Sequence, residues 1–201
     1  MFRRLCLFFI VLSLATSLWS QNKKTTEKLQ RAETAFNKGD VGTAEKLLRE
    51  VIKSDSNSIE GHDMLGILLS STRRYSQAAP EFARALELDN QQKELSLEQR
   101  RQVIDGEAVS YAQSGDLQKA KALYLAALKD DPNFTLYNYN LACVYAELHD
   151  LDSALPHLQK AWDMRITLPK GTAFPDPRKD SSFKDYYNNP KFQEVVRNMV
   201  Q

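Results

Sequence analysis

The chain has 201 residues, which is enough for one domain with a sizeable hydrophobic core. Hydrophobic residues make up 42% and charged residues 26%, a globular composition that excludes a largely disordered chain. The formal net charge is +1 and no concentrated basic face is indicated, so the sequence gives no support to nucleic-acid binding.

The first twenty residues predict a secretory signal peptide. Met1–Arg4 carries two arginines, Leu5–Leu12 is an unbroken apolar run, and small residues follow before the chain becomes polar. We expect cleavage at Ser20–Gln21, with Ser17–Leu18 as a second candidate, and export to the periplasm or the extracellular space. In the alternative the segment stays uncleaved and is the membrane anchor, although the apolar run is shorter than the ~20 residues of a spanning helix.

Cleavage would change both the charge and the cysteine content. Loss of Arg3 and Arg4 from the 27 basic residues would leave 25 against 26 acidic residues, a formal charge of −1. Loss of Cys6 would leave Cys143 as the remaining cysteine. No intramolecular disulfide could then form, which is compatible with an oxidising compartment.

From residue 25 onward the sequence repeats with a period of 34 residues. Four blocks share one frame: 25–58, 59–92, 101–134 and 135–168. Small residues recur at positions 8, 20 and 27, where two helix backbones must approach closely, and large apolar residues recur at positions 24 and 28. Position 20 is alanine in every block and contains Ala44, Ala78, Ala120 and Ala154.

This period and these columns resemble the tetratricopeptide repeat family, whose unit is a 34-residue helix–turn–helix. The resemblance implies an all-α fold: a right-handed α-solenoid of about four such units followed by C-terminal capping helices. It divides the chain into repeats 1 and 2 over residues 21–92, an insert at 93–100, repeats 3 and 4 over 101–168, and a proline-containing connector with a cap over 169–201.

Glycine predicts the turn between the two helices of a repeat, here called helix A and helix B. Gly39 and Gly115 occupy the same position, where a residue in the left-handed conformation closes helix A. Arg73 and His149 stand there in repeats 2 and 4, and we expect a looser turn at both.

Two prolines, Pro80 and Pro156, fall at position 22 of the frame. The first turn of a helix tolerates proline because its N–H groups have no partner within the helix. With Ser76 and Asp152 as N-caps, both prolines are expected in the opening turn of helix B.

Residues 93–100 interrupt the frame between repeats 2 and 3. The run Ser96–Gln99 resembles a capping box, so the insert is interpreted as a loop followed by one or two added turns on helix A of repeat 3. We expect that helix to protrude beyond its neighbours.

The last part of the chain has a different pattern. Three prolines and Gly171 fall close together and predict an extended connector. Apolar residues then lie on both sides of Asn189–Pro190, which predicts two short helices. The pattern D-x-x-F…N-P-x-F resembles the segment that often ends bacterial arrays of this family, so it is interpreted as a cap over the last repeat.

Cys143 and His149 are close in sequence but do not predict a catalytic dyad. Six residues along a helix turn the side chains ~240° apart and separate them by ~9 Å. His62 and His157 have no neighbours that indicate a base or a metal ligand, and G-x-S-x-G, glycine-rich phosphate loops and H-E-x-x-H are absent from the sequence. We therefore predict no enzymatic activity, no catalytic residues, no cofactor and no metal site.

The resemblance instead implies binding of a protein or peptide partner. In the family, positions 2, 5, 9, 12 and 13 of helix A line a concave groove. Apolar and acidic residues mix along this face here, which favours a neutral or mildly basic peptide. The candidate groove residues are Leu29, Glu33, Phe36, Glu60, Asp63, Ile67, Gln102, Asp105, Val109, Leu136, Tyr139, Cys143 and Glu147.

Some family members hold the C-terminal carboxylate of chaperone tails between lysine and asparagine side chains. Leu29 and Glu33 stand here where repeat 1 would need Lys and Asn, and Met64 stands where repeat 2 would need Asn. The resemblance therefore does not imply a heat-shock chaperone partner.

These observations predict a non-catalytic interaction scaffold that binds its partner on the concave surface. The alternative is a structural or assembly subunit of an envelope complex, which docks through the extended helix A of repeat 3 or through the cap. The sequence leaves the oligomeric state open.

Overall fold

The structure is a computed structural model that describes residues 23–168 and 171–199. The described chain is helical from residue 23 to 37 (α1) and contains no strand. The helices that follow are α2 (Val41–Ser54), α3 (Ile59–Ser71), α4 (Tyr75–Gln92), α5 (Leu97–Gln113), α6 (Leu117–Asp130), α7 (Thr135–Glu147), α8 (Leu151–Asp163) and α9 (Pro190–Arg197).

The predicted signal segment, residues 1–20, lies outside the described residues. Signal cleavage and export therefore stay predictions. Within the described ranges, every helix is too short or too polar to cross a bilayer.

Alanine lets the two helices of each repeat approach closely. The position-20 alanines Ala44, Ala78, Ala120 and Ala154 are all 0% exposed. From α2 to α8 each helix packs against the next, and α1 contributes Leu29 and Ala32 to the first part of the core. The all-α solenoid of four helix–turn–helix units is confirmed.

All four helix A segments end in the same hydrogen-bonded turn. Gly39 and Gly115 have φ values of +79° and +92°, and Arg73 and His149 have +60°. In each turn the amide after the left-handed residue donates to a carbonyl five residues earlier: Asp40 to Ala35, Arg74 to Leu69, Asp116 to Tyr111 and Asp150 to Tyr145, at 2.8–2.9 Å. The predicted looser turns at Arg73 and His149 are wrong, because the same hydrogen bonds hold the non-glycine residues in the left-handed conformation.

Replacing His149 with glycine is expected to raise the free energy of unfolding by about 1 kcal/mol. The left-handed conformation is strained for a residue with a Cβ, and glycine removes most of that cost. Urea unfolding of the variant measures the gain. Gly115→Ala is the matched control and should lower stability, whereas equal effects of both changes would contradict the argument.

Helix B begins earlier than the sequence predicted. Its N-caps are Arg74 and Asp150, not Ser76 and Asp152, so Pro80 and Pro156 are each the sixth helical residue rather than part of the opening turn. The shared turn delivers the chain directly into the helix, and Asp150 accepts from the Ser153 amide at 3.0 Å. Both prolines are exposed, and each one leaves the helical carbonyl four residues earlier without its usual N–H donor.

Two glycines make room for the ring of Phe82 on α4. A Cβ at Gly66 on α3 would lie 2.9 Å from that ring, and a Cβ at Gly106 on α5 would lie 2.7 Å from it. Phe82 is 3% exposed, so the ring is packed on all sides by other parts of the chain. The ring therefore fills the space between three helices of repeats 2 and 3.

Gly106→Ala is expected to lower the free energy of unfolding by about 2 kcal/mol, because the added methyl group overpacks the core against a rigid ring. The direction of this change is informative, because replacing glycine with alanine inside a helix usually stabilises the helix by about 1 kcal/mol. Chemical unfolding measures the loss. Gly42→Ala on α2, whose nearest neighbouring atom would be 4.0 Å away, is the control, and a double change with Phe82→Leu should recover stability.

The insert forms a loop and one added helical turn. Ser96 and Gln99 form the predicted capping box, and α5 has 17 residues where α3 and α7 have 13. The loop does not stand free, because the Asp89 carboxylate accepts from the Leu95 amide at 2.8 Å and from Arg100 at 2.6 Å. Burial works against ionisation of Asp89, yet these hydrogen bonds hold its pKa below the usual value.

The C-terminal segment forms two short helices, as predicted, separated at Asn189. The first is a 3₁₀ helix, Ser181–Tyr186, capped by Asp180, and the second is α9. Phe183 and Phe192, one from each helix, stack at 5.3 Å and are 0% and 1% exposed. This pair is the centre of the core that the segment forms with α7 and α8.

Candidate protein-binding groove

The Cys143 side chain lies against a carboxylate rather than a histidine. Its Sγ lies 3.6 Å from Asp180 Oδ2, which also accepts from the Tyr139 hydroxyl at 2.8 Å. Burial raises the pKa of the Cys143 thiol well above its ordinary value, and the neighbouring Asp180 raises it further. This environment favours the thiol over the nucleophilic thiolate.

Two histidines link the helices of their own repeats. His62 on α3 contacts Glu81 on α4 at 2.7 Å, and His157 on α8 contacts Asn138 on α7 at 3.2 Å. Both pairs join position 4 to position 23, with the histidine on opposite helices in repeats 2 and 4. Burial, and then the charge of Lys160, lower the pKa of His157. No cluster of possible metal ligands occurs among residues 23–168 and 171–199.

An open cavity of about 590 Å³, here called the N-terminal groove, lies along α1, α3 and the insert. Five candidate groove residues line it: Glu33, Phe36, Glu60, Asp63 and Ile67. The sequence reasoning missed further lining residues, which are Asn37 and Met64 from the repeats and Glu94, Leu95 and Gln99 from the insert and the first turn of α5. The insert is therefore one wall of the groove.

The N-terminal groove combines apolar lining residues, here called its floor (Phe36, Met64, Ile67 and Leu95), with acidic ones. Ile67 is 45% exposed, although it is a large apolar residue. Glu33, Glu60, Asp63 and Glu94 supply carboxylates, and the residues described as lining the cavity include no lysine or arginine. Burial, and then repulsion from Glu60, raise the pKa of Asp63 to about 6. Negative charge is thus concentrated without an opposite charge inside the cavity.

In repeat 3 the candidate residues take part in packing between helices. Asp105 accepts from the Tyr124 hydroxyl at 2.8 Å and from the Asn140 amide at 2.6 Å. Burial raises the pKa of Asp105, and these two hydrogen bonds offset part of that effect. Val109 is half-buried and Gln102 is exposed, and Leu136 at the start of repeat 4 is also half-buried. In repeat 1, Leu29 is 6% exposed and belongs to the core.

In repeat 4 the chain's own C-terminal segment covers three of the candidate residues, Tyr139, Cys143 and Glu147. Tyr139 contacts Asp180, and its ring lies edge-on to Phe174 at 5.5 Å. Glu147 accepts from the Ser182 hydroxyl at 2.7 Å. Together with Cys143, these residues hold positions 5, 9 and 13 of α7, so a segment of polypeptide already lies across this part of helix A.

Comparison with known proteins agrees with this geometry. Residues 106–166 match a family model described as tetratricopeptide repeat. The matched stretch covers most of repeats 3 and 4, and the helical packing of repeats 1 and 2 has the same form. The matched part of the chain is thus a tetratricopeptide repeat segment, a fold that supports an interaction scaffold.

Among solved structures, the chain resembles MamA. One MamA crystal structure has a TM-score of 0.63 and 18% identity, with 76% of this chain and 84% of that chain covered. MamA from residue 41 to the end, from Desulfovibrio magneticus RS-1, has a TM-score of 0.63 and 17% identity, with 73% and 78% covered. At these identities the likeness shows the fold alone. None of the curated proteins compared with the chain matches it.

Proposed function

We propose that this protein is a non-catalytic scaffold that holds a peptide segment of a partner protein in its N-terminal groove. One observation supports the proposal above the others: a segment of the same chain lies across helix A of repeat 4. The equivalent positions of repeats 1 and 2 include Glu33, Asp63 and Ile67, which line an open cavity. The helix A positions that contact polypeptide in repeat 4 are thus open to a partner in repeats 1 and 2.

The binding surface also has the composition of a recognition site. Phe36, Met64, Ile67 and Leu95 offer apolar contact area, and the surrounding carboxylates and amides can fix the orientation of a peptide. Export through the N-terminal segment is part of the proposal, so the partner would be a protein of the periplasm or the extracellular space.

A second candidate site is the start of α5, as in the docking alternative. Leu97 in its first turn is 62% exposed and offers an apolar contact at the helix N-terminus. Docking there would use the outside of the insert rather than the cavity.

Three matched variants distinguish these surfaces, because each changes an exposed apolar residue to glutamate: Ile67→Glu in the groove, Leu97→Glu on α5 and Leu125→Glu on α6. Full-length protein and variants would be used to capture proteins from an extract of the source cells, with quantification by mass spectrometry. We expect Ile67→Glu alone to lose a captured protein by about tenfold or more. Selective loss with Leu97→Glu would favour docking through α5, and equal retention by all three would contradict both.

A further inference from the structure

We propose that the N-terminal groove recognises a cationic peptide segment, one that places an apolar side chain on the groove floor and lysine or arginine beside it. This inference rests on the proposed function and adds the chemistry of the partner. The apolar floor, the sign of the surrounding charge and the contrast with repeat 4 support it.

The floor is suited to a single apolar anchor. Ile67 on α3 is exposed and lines the cavity, together with Phe36 on α1 and Leu95 from the insert. A cavity of about 590 Å³ is large enough for a bulky side chain with some of its backbone. An apolar side chain seated there would bury surface that is now in contact with water.

The charge around the floor has one sign. Glu33 and Glu60 are exposed, Asp63 is half-buried, and Glu94 belongs to the insert. Burial, and then the like charge of Glu60, raise the pKa of Asp63, so Glu60 and Asp63 are close enough to repel each other. A lysine or arginine placed between them would relieve this repulsion, whereas an acidic segment would increase it.

Helix A of repeat 4, which the C-terminal segment covers, presents different chemical groups. In repeat 4 the C-terminal segment brings an aromatic ring, Phe174, and a hydroxyl donor, Ser182, while its own acid, Asp180, accepts from Tyr139. The hydroxyl of Tyr139 makes an acidic segment acceptable there. Asp63 stands at the equivalent position in repeat 2, so the N-terminal groove would repel the same segment.

Synthetic peptides of about twelve residues test the inference directly. The first carries two leucines and four lysines in a glycine–serine background. The second has glutamate in place of each lysine, and the third has serine in place of each leucine. Fluorescence anisotropy with the full-length protein should show that the first binds about tenfold or more tightly than either control, with an affinity that falls as sodium chloride rises from about 50 to about 300 mM.

Charge-reversal variants locate the site. Glu60→Lys and, separately, Glu33→Lys should each weaken binding of the lysine–leucine peptide by about fivefold or more. Glu194→Lys on α9 is the control and should leave the affinity unchanged, since Glu194 is exposed and far along the chain from the groove. Using two single variants keeps the test valid if one of them does not fold.

The outcomes separate this inference from the proposed function. Equal binding of the glutamate peptide, lost in Ile67→Glu, would overturn the cationic partner and leave the groove as a peptide site. Binding that survives Ile67→Glu and both charge reversals would overturn the inference by placing the site elsewhere. Self-association in analytical ultracentrifugation that Ile67→Glu abolishes would assign the groove to a second copy of the chain and overturn it as well.

Discussion

Replacing Glu107 with glutamine should raise the free energy of unfolding by about 3 kcal/mol at about pH 8, one of the two largest effects expected for a single change in this protein. Glu107 is 7% exposed, and burial raises its pKa to about 7. The full shift from 4.5 to about 7 corresponds to about 3 kcal/mol, which the folded state loses when the carboxyl ionises. Glutamine is uncharged and similar in shape, so it avoids that loss.

The gain should depend on pH in a defined direction. Because the folded protein has the higher pKa, it favours the protonated carboxyl, and this stabilisation is fully present below the unfolded pKa. It is lost as the pH rises through about 7. The advantage of Glu107→Gln should therefore fall to about 1 kcal/mol or less near pH 5.

Urea unfolding at several pH values provides the measurement. Glu87→Gln is a matched control, because Glu87 is an exposed residue on α4, and it should change stability little at any pH. At each pH the free energy of unfolding of the variant is compared with that of the unmodified protein. The raised pKa of Asp63 affects both proteins equally and cancels in the difference. A Glu107→Gln gain that is independent of pH would contradict the assignment.

The packing around Glu107 explains why its charge is costly. Position 7 is Leu65 in repeat 2 and Leu141 in repeat 4, both fully buried, so Glu107 stands where its neighbours have leucine. Ser110, one turn later, is 0% exposed, and its hydroxyl has no hydrogen-bond partner in the described part of the chain. Two polar side chains thus interrupt the apolar surface of α5.

Phe183→Ala should lower the free energy of unfolding of the C-terminal segment by about 4 kcal/mol. The ring is 0% exposed, stacks on Phe192 and lies edge-on to Tyr139. Removing it leaves a cavity at the centre of the core that holds the segment on α7 and α8. Ile166→Ala is the control, because Ile166 is 84% exposed and should contribute little.

Cys143 reports this change directly. In the folded protein its thiol is partly buried beside Asp180, and its raised pKa keeps it protonated. Phe183→Ala should speed alkylation of Cys143 by iodoacetamide by about tenfold or more, since release of the segment exposes the thiol. An unchanged alkylation rate, together with unchanged hydrogen exchange over residues 181–197, would show that the segment does not depend on this ring.

The repeat frame allowed much of the fold to be predicted from the sequence. Spacing alone identified the alanine column, since a small side chain at Ala78 or Ala120 has one physical meaning between two helices. The capping box at Ser96 and the helix break at Asn189 were also predictable, because each depends only on residues close by in the sequence.

Features that depend on distant parts of the chain were not predicted. The turn at His149 keeps its geometry because the helix C-terminus supplies the hydrogen bonds, which the residue type does not indicate. The insert contributes Leu95 to the groove because Asp89 on α4 holds it in place. No sequence pattern indicated that Asp180 would lie over Tyr139, since the two are far apart in the frame.

Methyl NMR of the full-length protein is the most direct measurement of whether the N-terminal groove binds a peptide. Titration with the lysine–leucine peptide should shift the methyl resonances of Ile67 and Met64 and leave those of Leu125 and Ile166 in place. Saturating binding with shifts confined to Leu125, Ile166 or the C-terminal segment, and none at Ile67, would contradict a groove on repeats 1 and 2.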